Sequence, residues 1–316
     1  MAHATLPHRL AAGLVLLLSC TVALANEVEQ HLQSEYRGKI LAERGFYSGE
    51  HLIYDAAGNL SSGGRVGDWT TDGFVQINDI HLSGQSLKIK GKRLMVVSSG
   101  KNGFQFAAES APKKHKKPKK SALVEIDAAI GSDAFSDEAS KGLLSKIFLT
   151  AQDSFSDTVP IYWKSCIDEG ISGKNEDCRF SSDMLAVPGM ATPSRTPTAA
   201  TEPKSLTNTQ VGSNATLKLS TSVFRVGHGV SPAQAIYQPE PSFSEPARKA
   251  WYQGMVTLAL VVDRDGLPQQ ICITNPPGAG LDASAVEAVS RWKFKPAEKD
   301  GQPVAVVIAI AVDFHL

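Results

Sequence analysis

The chain has 316 residues, 42% of them hydrophobic and 20% charged, and its 32 Lys and Arg residues balance 32 Asp and Glu residues. This length predicts two compact domains with connecting segments rather than one domain. Nucleic-acid-binding domains carry an excess of Lys and Arg that binds phosphate groups. This chain has a net charge of zero, so we expect no nucleic-acid partner.

The first 25 residues predict an export signal. A short basic start precedes an uncharged, mostly apolar segment from Leu10 to Ala25, and Ala23-Leu24-Ala25 matches a small-residue cleavage site. A membrane-spanning helix needs about 20 apolar residues, which favours cleavage before Asn26 over a retained span. Two alternatives stay open: a short membrane anchor, and a lipoprotein whose lipid is attached to Cys20.

Residues 26–188 predict a mainly β domain, a small antiparallel barrel or sandwich with one helix and a cysteine loop. Short runs of β-forming residues recur between turn sequences, and one later segment has helical periodicity behind a serine cap. The predicted strands are Gly38–Leu41, Glu50–Tyr54, Gly73–Leu82, Ser86–Ile89, Arg93–Val97 and Leu123–Ile126, and the predicted helix is Ser136–Leu149.

The four cysteines agree with export to an oxidising compartment. Cys166 and Cys178 flank a short polar segment with two glycines, which predicts a disulfide that contributes roughly 3 kcal/mol. Cys272 has no obvious partner. No second Cys or His pair stands at ligand spacing nearby, and the eight His residues are scattered, so we expect no metal site.

Two polar segments interrupt the predicted domains. The lysine-rich run Lys113–Lys120 has two interpretations, a site for anionic lipid or another polyanion and a solvated loop between strands. Residues 189–222 are rich in Thr, Ser, Ala and Pro and cannot bury a core, which predicts a disordered linker. Such a linker spans roughly 30 Å as a flexible coil and about 110 Å when fully extended.

Residues 223–316 predict an α+β domain in the order α-β-β-α-β, with a small antiparallel sheet and helices. Ser244 caps a short helix, and Asp263-Arg264-Asp265-Gly266 joins two strands in a tight turn. Asp282 is predicted to cap the second helix. The final strand alternates strictly, with Val304, Val306, Ile308, Ile310, Val312, Phe314 and Leu316 predicted to face the core.

This C-terminal module resembles the C-terminal domain of the TonB family of energy transducers, over about residues 232–316. Seven short pieces carry the resemblance, in order and at family-like spacing. They are Glu245-x-Ala247-Arg248, Gly254-x-Val256, Val262-Asp263-x-Asp265-Gly266, Gly280-Leu281-Asp282-x-x-Ala285, Ala288-Val289-x-x-Trp292-x-Phe294-x-Pro296-Ala297, Gly301-x-Pro303-Val304 and Phe314-x-Leu316.

The resemblance implies a periplasmic domain that adds the TonB box of an outer-membrane transporter as a strand to its sheet edge. By position it also implies contacts from the segment before the first helix, Glu240, Pro241, Ser242 and Phe243. The implied edge is Val304, Ala305, Val306, Val307, Ile308, Ala309, Ile310, Ala311 and Val312. Closure of this edge by the upstream segment, or by a second copy in a homodimer, stays open.

Family transducers also contact a proton-driven inner-membrane motor of the ExbB/ExbD type through a Ser and a His on the N-terminal helix. No such pair lies within Leu10–Ala25, and the linker lacks the family's Pro-Glu and Pro-Lys repeats. Two alternatives to energy transduction therefore remain: a periplasmic scaffold or adaptor, and a β-domain ligand carrier tethered by the C-terminal module.

No enzymatic activity and no cofactor are predicted. Gly278-x-Gly280-x-x-Ala283 looks like a dinucleotide fingerprint, but the strand before it belongs to a hairpin. No nucleophile-elbow, zinc-protease or phosphate-loop pattern occurs in the sequence, so we assign no catalytic residue.

Overall fold

The computed structural model describes residues 25–83, 85–100, 103–108, 123–131, 136–172, 174–175, 178–190 and 223–316. Three of the predicted features lie outside these ranges: nearly all of the export signal, the Lys113–Lys120 run, and the linker from residue 191 onward. Within the described ranges, no helix is long and apolar enough to cross a membrane.

The N-terminal part is built around a seven-stranded sheet in the order β1-β6-β7-β9-β3-β4, with β8 pairing with β7. Its strands are β1 Ile40–Ala42, β2 Tyr47–Ser48, β3 His51–Tyr54, β4 Leu60–Ser62, β5 Arg65–Val66, β6 Phe74–Ser83, β7 Ser86–Ser98, β8 Phe104–Ala108 and β9 Leu123–Ala129. Its helices are α1 over residues 25–36, α2 Trp69–Asp72, α3 Asp137–Ile147, α4 Phe155–Thr158, α5 Ile161–Ile171 and α6 Ser182–Leu185.

The structure differs from the strand prediction in several places. The main sheet is mixed, because β3 pairs with β9 in parallel, so the prediction of an antiparallel barrel or sandwich is wrong in this respect. Residues 25–36 form a helix, because Val28, Leu32 and Tyr36 recur at a spacing of four and face the sheet, where Leu32 is fully buried. The two strands predicted between residues 86 and 97 are one continuous strand, β7, and the strands β2, β4, β5 and β8 were not predicted. In contrast, α3 begins behind Ser136 as predicted, and the Ser136 hydroxyl accepts a hydrogen bond from the Ala139 N–H at 3.2 Å.

Aromatic side chains fill the space beneath the sheet. Trp69 is fully buried, and its ring centroid lies 4.9 Å from that of Trp163 and 5.4 Å from that of Phe155. The predicted disulfide is present and joins Cys166 in α5 to Cys178 in the following segment. Trp69 is therefore a central residue of the core beneath the sheet.

The C-terminal part has a five-stranded sheet in the order β10-β16-β12-β13, with β15 pairing with β16, and a separate ladder of β11 with β14. Its strands are β10 Val223–Arg225, β11 Gln234–Tyr237, β12 Gly254–Val262, β13 Pro268–Asn275, β14 Lys293–Lys295, β15 Ala297–Lys299 and β16 Gln302–Phe314, and its helices are α7 Glu245–Ala250 and α8 Leu281–Val289. The predicted α-β-β-α-β order is confirmed by α7, β12, β13, α8 and β16, to which four short strands are added.

Local chemistry explains most of these boundaries. The Ser244 hydroxyl caps α7 by accepting the Ala247 N–H, and the Asp263 carboxylate accepts the N–H groups of Asp265 and Leu267 inside the β12–β13 turn. The cap predicted for α8 is wrong. Gly280 is the residue at the N-cap, and Asp282 lies in the first turn, where its Oδ2 accepts the Gly278 N–H at 2.8 Å.

The β12–β13 turn yields a first prediction, because Gly266 has a φ of 78° and a Cβ added there would lie 1.9 Å from the Phe294 carbonyl oxygen. Gly266→Ala should lower the free energy of unfolding by about 1–3 kcal/mol through backbone strain and this clash. Chemical denaturation of the full chain measures the change.

Gly301 supplies the matched control, because it has a φ of 75° but nothing within 4 Å of its would-be Cβ. Gly301→Ala should therefore show the backbone strain alone and a smaller loss of stability. Equal losses in the two variants would show that the contact between the turn and Phe294 does not restrict position 266.

Candidate partner-binding edge of the C-terminal module

Strand β16 is held on one side by β12 along nearly its whole length. The antiparallel register runs from Gly254 opposite Phe314 to Val262 opposite Val306. The predicted core face is largely correct, with residues 304, 306, 312 and 314 buried and residues 308 and 310 half-buried. Leu316 is an exception, because it lies beyond the strand and is 50% exposed.

The other side of β16 is only partly open. β15 pairs with Gln302–Val304, and β10 pairs in parallel with Ala305–Val307. The expectation of a free edge over all of Val304–Val312 is therefore wrong for its first four residues, which the upstream segment and β15 cover. Among the described residues, the stretch Ile308–Val312 has no strand on this side.

Strand β10 is anchored by its own side chains as well as by its backbone. The Lys299 ammonium lies 4.7 Å from the centroid of the Phe224 ring, a cation–π contact between β10 and β15. Sequence reasoning did not predict β10. Its signal was the short β-forming run Val223-Phe224-Arg225 at the end of the linker.

The segment before α7 lies beside the far end of the open edge. The Phe243 ring meets the Phe314 ring edge-on, with centroids 5.5 Å apart. Trp292 Nε1 donates to the Pro239 carbonyl at 3.1 Å and fixes the start of the segment. Glu240 and Ser242 are exposed, and Pro241 and Phe243 are half-buried. The structure thus brings the two predicted contact regions together at the end of β16.

The open edge is small and uncharged. Ala309 and Ala311 are exposed and alternate with half-buried Ile308 and Ile310, so the strand presents backbone N–H and C=O groups without bulky side chains on one face. The described residues contain no group of His, Cys, Asp or Glu that could hold a metal ion. The arrangement suits pairing with an extended segment of another chain.

A second surface of the module contacts the N-terminal part through the loop 276–280. Ala279 N–H donates to the Val96 carbonyl, and Ser98 N–H donates to the Pro277 carbonyl, each at 2.8 Å. The Tyr252 hydroxyl also donates to the Pro277 carbonyl at 2.8 Å, and burial raises the pKa of Tyr252 to about 12. Sequence reasoning treated this loop only as the end of a hairpin.

Fold, edge and pre-helix segment together define a small α+β module with one partly open strand edge. Residues 239–316 match the family described as Gram-negative bacterial TonB protein C-terminal. The resemblance seen in the sequence is thus confirmed over residues 239–316.

Individual relatives match the chain over stretches of similar length. The chain is 38% identical over 87 residues to Protein TonB of Vibrio cholerae serotype O1, covering 27% of this chain and 35% of that protein. It is 30% identical over 82 residues to Protein tonB2 of Pseudomonas aeruginosa, covering 26% and 30%. The chain spans about a third of the length of these curated relatives.

Among solved structures, the solution NMR structure of the Pseudomonas aeruginosa TonB CTD aligns with 17% identity and a TM-score of 0.24. The alignment covers 31% of this chain and 96% of that one.

The occupied part of the edge yields a second prediction. Phe224→Pro removes a backbone donor from β10 and the ring that Lys299 contacts. Outward-facing amides within Ala305–Val307 should then exchange with deuterium about five- to tenfold faster, the value expected for losing one hydrogen bond.

Phe224→Leu is the control for this change, because it keeps the backbone donor and should leave exchange in Ala305–Val307 nearly as in the parent chain. Unchanged protection of Ala305–Val307 in Phe224→Pro would show that β10 does not cover that part of β16. Mass spectrometry of peptides spanning β16 makes the measurement.

Proposed function

We propose that the protein is an exported envelope protein whose TonB-type module binds outer-membrane transporters by strand addition. The observation that supports this proposal is the open stretch Ile308–Val312 on β16, with the pre-helix segment at its end. A TonB-box segment of a transporter is the expected partner. No catalytic step is part of the proposal.

The backbone supplies the affinity in this arrangement. An extended segment that pairs with Ile308–Val312 satisfies N–H and C=O groups that otherwise face solvent, each hydrogen bond contributing about 0.5–1.5 kcal/mol. The edge is shorter than the sequence predicted, so the added strand is about five residues long while β10 stays in place. Because the side chains of the open stretch are all apolar, specificity must come largely from contacts at the strand ends.

Phe243 and the exposed groups of the pre-helix segment lie at one such end. The Phe243 ring packs on Phe314, the last residue of β16, and Glu240 and Ser242 remain exposed to a partner that extends past the strand. We therefore infer that Glu240, Pro241, Ser242 and Phe243 contact residues of the transporter that flank the added strand.

Transduction of energy is the further part of the proposal. If residues 1–25 remain in the inner membrane, a motor of the ExbB/ExbD type can act on the chain and the module can transmit force to a transporter. If they are cleaved, the protein is a periplasmic adaptor that binds the same partners. Separating membrane and soluble fractions, with the mass of the mature N-terminus, distinguishes the two arrangements.

Self-association is the alternative use of the same edge. Open, regular strands pair readily with a second copy, and Ile308–Val312 is such a strand. Sedimentation of the full chain at increasing concentration shows whether the chain remains a monomer or forms a dimer. If a TonB-box peptide dissociates the dimer, the peptide and the second copy compete for the same edge. If the peptide leaves the dimer intact, the dimer uses another surface.

The third prediction tests peptide binding at the edge. Titration of the ¹⁵N-labelled full chain with a synthetic TonB-box peptide should shift the amide signals of Ile308–Val312 and of Phe243. Signals of β13, on the far side of the sheet, should move little. A scrambled peptide of the same composition is the control, and absence of any shift with peptides from several transporters would contradict the proposal.

Cross-linking adds a position-specific check in a Cys272→Ser background. Ala309→Cys and Ala311→Cys place thiols on exposed positions of the open stretch, and Ala305→Cys places one where β10 pairs. Peptides with one cysteine should form disulfides with residues 309 and 311 in a register-dependent pattern. The yield at residue 305 should be several-fold lower, and equal yields at all three would point to non-specific contact.

A further inference from the structure

Three backbone groups of the loop 276–280 form hydrogen bonds between the C-terminal module and the N-terminal part. They add to an apolar contact, because the buried apolar residues of both parts form one core and α5 packs against β13. Besides the Ala279 and Pro277 hydrogen bonds, Gly280 N–H donates to the Thr70 hydroxyl oxygen at 2.7 Å. The approach is close, because a Cβ on Gly278 would lie 2.4 Å from the Val96 carbonyl oxygen. These contacts join two parts of the chain that are connected only through the segment between residues 190 and 223.

A buried carboxyl group stands directly behind this loop. Asp282 is fully buried, its Oδ2 accepts the Gly278 N–H, and its Oδ1 has no hydrogen-bond partner among the described residues. An ionised carboxylate with an unsatisfied buried oxygen is costly, whereas a protonated carboxyl carries no charge to desolvate. The geometry thus favours the neutral form of Asp282.

A second carboxyl lies on the opposite side of the contact. Asp68, the N-cap of α2, accepts hydrogen bonds from the Thr70 N–H at 2.8 Å and from the Thr70 hydroxyl, whose oxygen in turn accepts the Gly280 N–H. Asp68 is thus one hydrogen-bonded group away from the loop. Through Thr70, the charge on Asp68 and the position of the loop are coupled.

Three further titratable groups lie near this pair of carboxyls. The charge of Asp72 in α2 raises the pKa of Asp68. Tyr162 in α5 lies near both acids, and Tyr252 after α7 lies near Asp282. Asp72 is itself near a cation, since its Oδ1 lies 3.9 Å from Arg93 Nε. Across the contact between the modules, the charge of Asp68 raises the pKa of Asp282, to which burial is the larger contribution.

We propose that loop 276–280, Thr70 and the acids Asp68 and Asp282 form a proton-linked latch, which holds the C-terminal module on the N-terminal part when protonated and releases it when ionised. This inference goes beyond the proposed function, because it holds whatever the edge of β16 binds. It assigns the N-terminal part a role as a docking partner for the module. After release the module would stay attached to the N-terminal part through residues 191–222.

The direction of the pH effect follows from the two acids. Burial raises the pKa of Asp68 to about 6, and burial together with Asp68 raises the pKa of Asp282 well above its usual range. Exposed in the released state, both acids should return to about 4. Docking is then strongest below about pH 4. As the pH rises from about 4 toward the pKa that each acid has in the docked state, that acid lowers the docking equilibrium constant by up to tenfold per pH unit.

The fourth prediction tests the latch on the full chain. Small-angle X-ray scattering between pH 5 and 9 should show the radius of gyration increasing with pH, while far-UV circular dichroism stays constant because both modules remain folded. Amide signals of Ala279 and Ser98 should move toward their released positions over the same pH range. Gly278→Ala, which adds the clash with Val96, provides the reference for the released state at every pH.

Matched variants separate the latch from a general effect of charge. Asp282→Asn keeps an acceptor for the Gly278 N–H but cannot ionise, so it should remove most of the pH dependence and leave the modules docked at pH 8. Asp265→Asn, in an exposed turn, should leave the parent profile unchanged. Asp68→Asn should abolish the part of the transition near pH 6 and is the second test if Asp282→Asn does not fold.

Two results would overturn the proposal. One is a parent chain that stays docked, or stays released, over the whole pH range. The other is an Asp282→Asn or Asp68→Asn chain with the same pH profile as the parent. Neither result bears on peptide binding at Ile308–Val312, so failure of the latch and failure of the proposed function remain distinguishable.

Discussion

The antiparallel ladder between β12 and β16 is the constraint on which the C-terminal module depends. It fixes residues 306–314 against Gly254–Val262 and so determines which face of β16 enters the core and which backbone groups point away from the sheet. β15 and β10 then cover part of the outward edge, and Ile308–Val312 remains. The candidate binding site is what this pairing leaves open.

Local sequence signals predicted most of the elements that form the site. Three signals each specify a local structure through neighbouring residues alone. They are the cap at Ser244, the tight turn at Gly266 and the strict alternation of the last strand. Ser136 predicted the start of α3 for the same reason. Such signals act within one element, which is why the α-β-β-α-β order could be read without the rest of the chain.

Features that depend on distant parts of the chain could not be predicted in this way. β10 has three residues and forms a strand through its pairing with β16. The Asp282 carboxylate accepts the Gly278 N–H and therefore does not cap α8. Helix α1 was missed because its three-residue apolar stripe becomes informative only against the sheet it covers. The contact of Gly278 with Val96 leaves no local pattern in the sequence.

The most direct test of the central claim is a set of isotope-filtered nuclear Overhauser measurements on the full chain with a bound, labelled TonB-box peptide. Strand addition predicts backbone-to-backbone contacts between consecutive peptide residues and Ile308–Val312, with the periodicity of a β-ladder. Side-chain contacts to Phe243 should appear at one end of the peptide. Contacts confined to another surface, or a bound peptide without ladder periodicity, would contradict strand addition to β16.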